Sequence, residues 1–277
     1  MSSSQQEQQD PPLSSSPRLS TILFDVDDTL YDIATGFTAH RNGDSVQRFM
    51  VDKLGFPDGA TAQALRDEYF TMYHSTAKAL TMAEKDGKFP KLNDKNSNDG
   101  NDTAVPSAPR FRAEDLANYW AENLDYTMLT PKSSQFKKEL QDLPFTLVAF
   151  SNGPRNYVRR VLQELDLWDL FGEERLFAVD DVLPYCKPEQ KAFRVVLDRV
   201  GVSSPAECIM VEDSMKNVRR CKEMGMKTVL VTGTTKDHQV VDVPDDTDPA
   251  VDVAIKTIEE LRTAAPELWN KDQPTLD

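Results

Sequence analysis

The chain has 277 residues, 39% of them hydrophobic, and sets 46 acidic side chains against 32 lysines and arginines for a net charge of −14. That length can bury a full α/β core and carry a second, smaller unit. The acidic balance argues against a nucleic-acid polymer as partner, because such binding ordinarily shows a basic patch, while a small anionic substrate needs only local cations.

Cys186, Cys208 and Cys221 show no metal-ligand spacing and leave an odd count for disulfides, so a reducing compartment, the cytoplasm, is expected. No apolar stretch reaches membrane-spanning length, and the amino terminus lacks a basic start followed by an apolar core, so no membrane partner is expected. Residues 1–18 are rich in Ser, Gln and Pro with almost nothing to bury, which predicts a disordered tail.

Next comes a short apolar run, 21–23 (TIL), leading into 24–31 (FDVDDTLY). An Asp, one spacer and a second Asp at the end of a buried strand would set the carboxylates of Asp25 and Asp27 side by side at a sheet's carboxyl edge, where open α/β sheets bind ligands. Clustered carboxylates repel, so they call for a cation, a shared proton or both. On its own such a pair is ordinarily an acidic turn, and the rest of the chain has to decide.

Residues 32–130 are helical in character. Val46, Phe49, Met50 and Leu54 fall on one face, then Leu65, Tyr69, Met72, Tyr73, Thr76 and Leu80, then Leu116, Tyr119, Trp120 and Leu124. Within this region 86–110 is rich in Asn, Asp, Pro and Ser and reads as a flexible surface insertion. Strand and helix patterns alternate after 131, with strands near 145–150, 176–179, 207–211, 228–231 and 251–255. Helices are expected near 133–141, 154–165, 188–200, 214–224 and 257–264.

This alternation predicts an α/β fold, a Rossmann-like three-layer core with a parallel sheet, formed by 19–31 and 131–265 and interrupted by a helical cap over 32–130. The six aspartates between 237 and 252 read as a solvated acidic loop, and 266–277 as a flexible tail.

Three of the later segments end in polar clusters. Residues 145–150 run into Ser151-Asn152-Gly153-Pro154, Tyr185-Cys186-Lys187-Pro188 opens a predicted helix, and 208–211 run into Glu212-Asp213-Ser214. A lone lysine before proline is ordinarily solvated at a helix start, with Pro188 in the first helical position, but here it falls between two other clusters. The order Asp-x-Asp, Ser, Lys, Glu-Asp resembles the four motifs of the haloacid dehalogenase-like superfamily of phosphohydrolases, over residues 20–235.

The resemblance implies roles. Asp25 is expected as the nucleophile that forms an aspartyl-phosphate, and Asp27 as the acid for the leaving alcohol and then the base for water. An acid at position 27 is also what the superfamily's dehalogenases lack. Mg²⁺ is the implied cofactor, held by Asp25, Asp213 and the main-chain carbonyl of Asp27, with Glu212 behind these ligands or in contact through water, and Asn217 either facing the same cluster or at the surface. Ser151, Asn152 and Lys187 are expected to bind the phosphoryl group, and Lys187 also to offset repulsion between phosphate and Asp25.

His40, His74 and His238 belong to no motif and read as surface or packing residues, and Arg155 as an exposed first-turn residue. The sequence FDVDDTLY, the long helical segment with KLGF, Ser-Asn in the second motif and CKP further resemble the pyrimidine 5′-nucleotidase-like branch found in fungi and plants. That implies hydrolysis of a nucleoside 5′-monophosphate, with the cap selecting the base and a small phosphorylated metabolite as partner. A sugar-phosphate phosphatase or mutase on the same core, and a non-catalytic binding protein on the same fold, are the alternatives. Neither substrate nor oligomeric state follows from the residues.

Overall fold

Short runs of β-branched and aliphatic residues, buried on both faces, form a single parallel sheet. The computed structural model describes residues 18–91, 109–235, 243–272 and 274–276. Its strands are β1 (Thr21–Phe24), β2 (Thr146–Phe150), β3 (Leu176–Phe177), β4 (Cys208–Glu212), β5 (Lys227–Val231) and β6 (Val253–Ile255), in the spatial order β3-β2-β1-β4-β5-β6.

β1 is central, with Phe24 paired to Ala149 of β2 on one side and to Val211 of β4 on the other. From β1 the chain builds outward first through β2 and β3 and later through β4, β5 and β6. The carboxyl ends of β1, β2 and β4 therefore converge where the strand order reverses, which is where open parallel sheets leave a crevice.

The expected alternation after 131 is observed. Helices α5 (Ser134–Gln141), α6 (Arg155–Glu164), α7 (Gln190–Val200) and α8 (Met215–Glu223) flank the sheet, preceded by α1 (Val46–Leu54), α2 (Gly59–Tyr73), α3 (Thr76–Lys85) and α4 (Ala113–Asn123). Successive strand residues point to opposite faces. Leu23, Val148, Phe150 and Met210 meet Phe193, Val196 and Leu197 of α7 on one face. Ile22, Phe24, Ala149 and Val211 meet Val158 and Val161 of α6 on the other.

The second cluster runs on without a break into Phe37, Phe49, Tyr69, Leu116 and Trp120 of the helical region. Its junction is aromatic, with ring centroids 5.4 Å apart for Trp120 and Tyr157 and 6.4 Å for Phe37 and Tyr157. The helices are capped by their own sequence: Asp58 accepts from the Thr61 backbone N–H at 2.7 Å at the start of α2, and Gly55, at φ 75°, closes α1.

Two local expectations need correcting. Pro188 does not occupy the first helical position: Lys187–Pro188 is a cis peptide, Glu189 N–H closes a turn onto the Cys186 carbonyl at 2.8 Å, and α7 begins at Gln190. The segment after 265 is not a loose tail, because Leu268 and Leu276 are buried and the Trp269 indole N–H donates to the Glu139 carbonyl at 2.8 Å. Few as they are, its apolar side chains find a place on the core.

The described part of the acidic segment is a mostly exposed loop, as expected, held at two of its aspartates. Asp248 pairs with Arg219 at 2.8 Å, and Asp252 accepts from Lys222 Nζ and the Thr228 N–H at 2.5 and 2.9 Å. Of the 86–110 insertion, 92–108 lies outside the described residues. The flanks meet at Glu84, whose carboxylate accepts from the backbone N–H groups of Arg110 and Phe111 at 2.5 and 3.1 Å. No helix among the described residues is long and apolar enough to cross a membrane.

Candidate active site

β1 ends at Phe24 and delivers Asp25, whose backbone N–H continues the ladder by donating to the Val211 carbonyl at 2.9 Å. Farther along the same loop, Asp28 adopts φ 57°, a left-handed turn that an Asp tolerates better than most side chains. β2 delivers Ser151, β4 delivers Glu212 and Asp213, and the turn before α7 delivers Lys187. The sheet topology thus brings together Asp25, Asp27, Ser151, Lys187 and Asp213, with Asn152 beside them.

Lys187 is 1% exposed, and its ammonium donates to Asp25 Oδ1 at 2.6 Å and to Glu212 Oε2 at 2.7 Å. Ligand oxygens of Asp25, Glu212 and Asp213 all lie within 4.8 Å of one another. Three carboxylates around one ammonium leave an excess of negative charge. Burial, then the charge of Glu212, push the Asp25 carboxyl up to about 8, against the opposing pull of Lys187.

Asp213 is likewise pushed well above the ordinary carboxylate range, by burial and then by Glu212 and Asp25. Burial works against the charge on Lys187, but Asp25 and Glu212 outweigh it and raise its pKa. A divalent cation bound by oxygen would relieve this imbalance, so the donor set fits Mg²⁺. Glu212 is fully buried and engages Lys187 directly, with its other oxygen accepting from the Ser214 N–H at 3.2 Å.

Asp27 is in the opposite electrostatic situation. Arg41 Nη1 lies 2.7 Å from its Oδ1, Tyr31 donates to the same oxygen at 2.8 Å, and Tyr157 also donates to it. Burial favours the neutral carboxyl, but Arg41 and the hydrogen bonds outweigh it and hold the Asp27 pKa below the usual range. The Ser151 hydroxyl donates to Asp27 Oδ2 at 3.2 Å and accepts from the Gly153 N–H at 2.9 Å. Asp28, next in the chain, is pushed up to about 7 by burial and then by the charge of Asp27.

The Asn152 amide joins segments. Its Oδ1 accepts from the Lys187 N–H and its Nδ2 donates to the Lys187 carbonyl, both at 2.8 Å, while Nδ2 also reaches the His74 carbonyl at 3.2 Å. The α2–α3 turn closes on the same residue, since Ser75 Oγ donates to the Asn152 carbonyl at 3.0 Å. His74, expected at the surface or in packing, stands in this turn at φ 52° with its ring 3.4 Å from Lys216 Nζ. Asn217 is buried near the amino end of α8. Arg155 is occupied by Glu173 at 3.1 Å and Asp181 at 2.8 Å.

Sequence reasoning missed Arg41 and Tyr157. Tyr157 sits at a helix position that reads as core, and nothing in the spacing of Arg41 links it to a motif. The one available signal was chemical: an acid surrounded by buried apolar sequence needs a cation from somewhere.

The fold resembles that of a HAD phosphatase from Thermococcus onnurineus, with TM-score 0.54 and 22% identity over 88% of this chain and 97% of that one. It also resembles the L-2-haloacid dehalogenase of Xanthobacter autotrophicus, with TM-score 0.50 and 16% identity over 88% and 97%. In sequence, 113 residues are 26% identical to the phosphoglycolate phosphatase of Pseudomonas syringae pv. tomato, covering 41% of this chain and 40% of that protein. The chain spans about half or less of the length of the curated relatives it matches. Residues 19–225 match the model of the haloacid dehalogenase-like hydrolases, three quarters of the sequence, and the chain belongs to that family.

Proposed function

We propose that the protein is a Mg²⁺-dependent phosphomonoesterase that works through an aspartyl-phosphate on Asp25, with a pyrimidine nucleoside 5′-monophosphate as substrate. The observation that carries the reading is the placement of two carboxylates two residues apart: Asp25 held by a buried lysine, and Asp27 bonded to Ser151. A halide departs without a proton, whereas an alkoxide needs one. A second carboxyl beside the nucleophile therefore suits phosphoryl transfer.

Lys187 binds Asp25 Oδ1 and so orients the other oxygen toward phosphorus. Ser151 and the turn after it offer donors to one phosphoryl oxygen, and Lys187 offsets charge between nucleophile and substrate. Asp27 must first gain a proton, against the pull of Arg41, to give it to the departing alcohol, and then takes one from the incoming water. Asp25, Asp213 and the Asp27 carbonyl would hold the cation, which when bound supplies positive charge against the phosphoryl oxygens. Residues 32–130 act as the cap that closes over the site and selects the base, a reading supported by the seating of the α2–α3 turn on Asn152.

A screen for released phosphate tests this, using nucleoside 5′-monophosphates, phosphoglycolate, sugar phosphates and an aryl phosphate with Mg²⁺. Preference for pyrimidine monophosphates is expected. Preference for phosphoglycolate, the compound named for the Pseudomonas relative, would replace the substrate but keep the chemistry. Isomer formation in place of phosphate release would make the protein a mutase, and no turnover of any ester would leave a binding protein.

A further inference from the structure

Arg41 is a cation brought to the site by the start of the helical region, and its surroundings are unusual for a surface helix. It follows the helical turn Phe37–His40 and opens a wider turn, Arg41–Ser45, kinked at Gly43. Its side chain is 10% exposed, and its guanidinium stands 5.4 Å from the Trp120 ring centroid and 4.9 Å from that of Tyr157. A desolvated guanidinium between two aromatic faces is stabilised by the rings but still requires an anion. Among the described residues, Asp27 is its carboxylate partner.

We propose that Arg41 is a positioning residue for Asp27, clamping Oδ1 so that Oδ2 alone works at the reacting atoms; the inference rests on the phosphomonoesterase reading above. Three donors from three places meet on Oδ1: Arg41 from the helical region, Tyr31 from the loop after β1 and Tyr157 from α6. Arg41 Nη1 also donates to the Tyr157 hydroxyl at 2.7 Å, and Tyr31 shares a 2.9 Å bond with Thr38, so the donors are themselves fixed. Oδ2 meets Ser151, on the phosphate side.

In the first half-reaction Asp27, after taking up a proton on Oδ2 from solvent because the donors on Oδ1 favour its carboxylate, passes that proton to the ester oxygen while the bond from that oxygen to phosphorus breaks and Asp25 gains the phosphoryl group. In the second, the Asp27 carboxylate takes a proton from the water whose oxygen bonds to phosphorus, and the bond from Asp25 to phosphorus breaks. Both transfers need one oxygen aimed at one place. Arg41 thereby ties that aim to where the helical region sits, alongside Tyr31 and Tyr157 from the core.

The test is the leaving-group dependence of kcat/KM, which reports the step through phosphorylation. Arg41→Ala, Arg41→Lys and Tyr157→Phe are compared with wild type on phenyl phosphate and on 2,4-dinitrophenyl phosphate, whose phenolate departs without a proton. Arg41→Ala should lose on the order of 100-fold on the first and under about 10-fold on the second, because only the first draws on the acid. Arg41→Lys should recover part of the loss, Tyr157→Phe should show the same slope more weakly, and Asp27→Asn sets its limit.

Equal losses on both esters in variants that still melt cooperatively would make Arg41 a packing residue and overturn the proposal. A loss confined to substrates with an anionic leaving group would make it a substrate ligand and would overturn the proposal too. If Arg41→Ala does not fold, the slopes of Arg41→Lys and Tyr157→Phe decide. Failure of wild type to hydrolyse any phosphomonoester would instead remove the underlying reading, and this inference with it.

Discussion

Asn152 and Lys187 exchange two hydrogen bonds, side chain to backbone, each 2.8 Å long, so that an asparagine after β2 holds the lysine's own peptide groups as a neighbouring strand would. The consequence is that Lys187 is aimed by a residue from another strand end. Asn152→Ala should remove both bonds, each worth about 1 kcal/mol, and leave a buried N–H unpaired. We expect a loss of about 2 kcal/mol in unfolding free energy and a fall in kcat of at least about tenfold. Denaturant unfolding and steady-state kinetics check both, and an unchanged kcat would detach Asn152 from the alignment of Lys187.

The nucleophile assignment makes a prediction of opposite sign for stability. Asp25 lies in a buried cluster that pushes its carboxyl up to about 8, so replacing it with a neutral amide relieves repulsion from Glu212 and Asp213. Asp25→Asn should therefore melt at or above the wild-type temperature while losing turnover. Retention of more than about a hundredth of kcat would falsify covalent catalysis at this position.

Much of the core and of the site was legible because it rests on local patterns. Apolar runs ending in Asp25, Ser151 and Glu212 announce strands whose carboxyl ends meet, and alternation with helices fixes a parallel sheet. What was not legible is pairing at a distance. The Tyr157–Asp27 bond spans 130 residues and the Arg41–Tyr157 bond 116, and neither leaves a period or spacing in the sequence. Glu212 was only partly legible for a related reason: sequence gives its place next to Asp213 but not that its side chain turns back to Lys187. Leu268 and Leu276 were hidden in a polar, Pro-containing stretch, where composition outweighed the few residues that anchor it.

Removing the lysine should be more damaging than removing either acid. Lys187→Met strands two buried carboxylates, Asp25 at 6% and Glu212 at 0% exposure, and breaking such a pair from one side costs about 3–5 kcal/mol. Adding Glu212→Gln to Lys187→Met should recover part of that loss without restoring activity. A double-mutant cycle by chemical denaturation measures the coupling. Strict additivity would mean that the two side chains do not share a charge balance.

The carboxylate cluster predicts a binding defect separable from catalysis. Asp213→Ala should weaken Mg²⁺ binding, read by calorimetry in the absence of substrate, and excess Mg²⁺ should restore part of the rate. Ca²⁺ should compete for the site yet inhibit, because it accepts more ligands in a looser geometry. Calorimetric affinity equal to wild type in the Asp213 variant would place the cation elsewhere.

Substrate choice should follow the contact between the helical region and the core, and here two tyrosines that looked alike in sequence separate. Tyr69 is buried and its hydroxyl donates to Asp86 at 2.9 Å, so Tyr69→Phe should lower stability and affect all substrates equally. Tyr73 and Ser75 flank the turn that meets the core: the Tyr73 carbonyl accepts from Cys186 Sγ at 3.0 Å, and Ser75 Oγ donates to the Asn152 carbonyl at 3.0 Å. Ser75→Ala removes a bond that forms only when this turn is docked, and closure is what excludes water and engages the leaving group. It should therefore raise KM for the preferred metabolite by about three- to tenfold, the worth of one hydrogen bond, with little effect on a small aryl phosphate. Equal effects of Ser75→Ala on both substrates would mean that the turn serves stability alone and that specificity lies elsewhere.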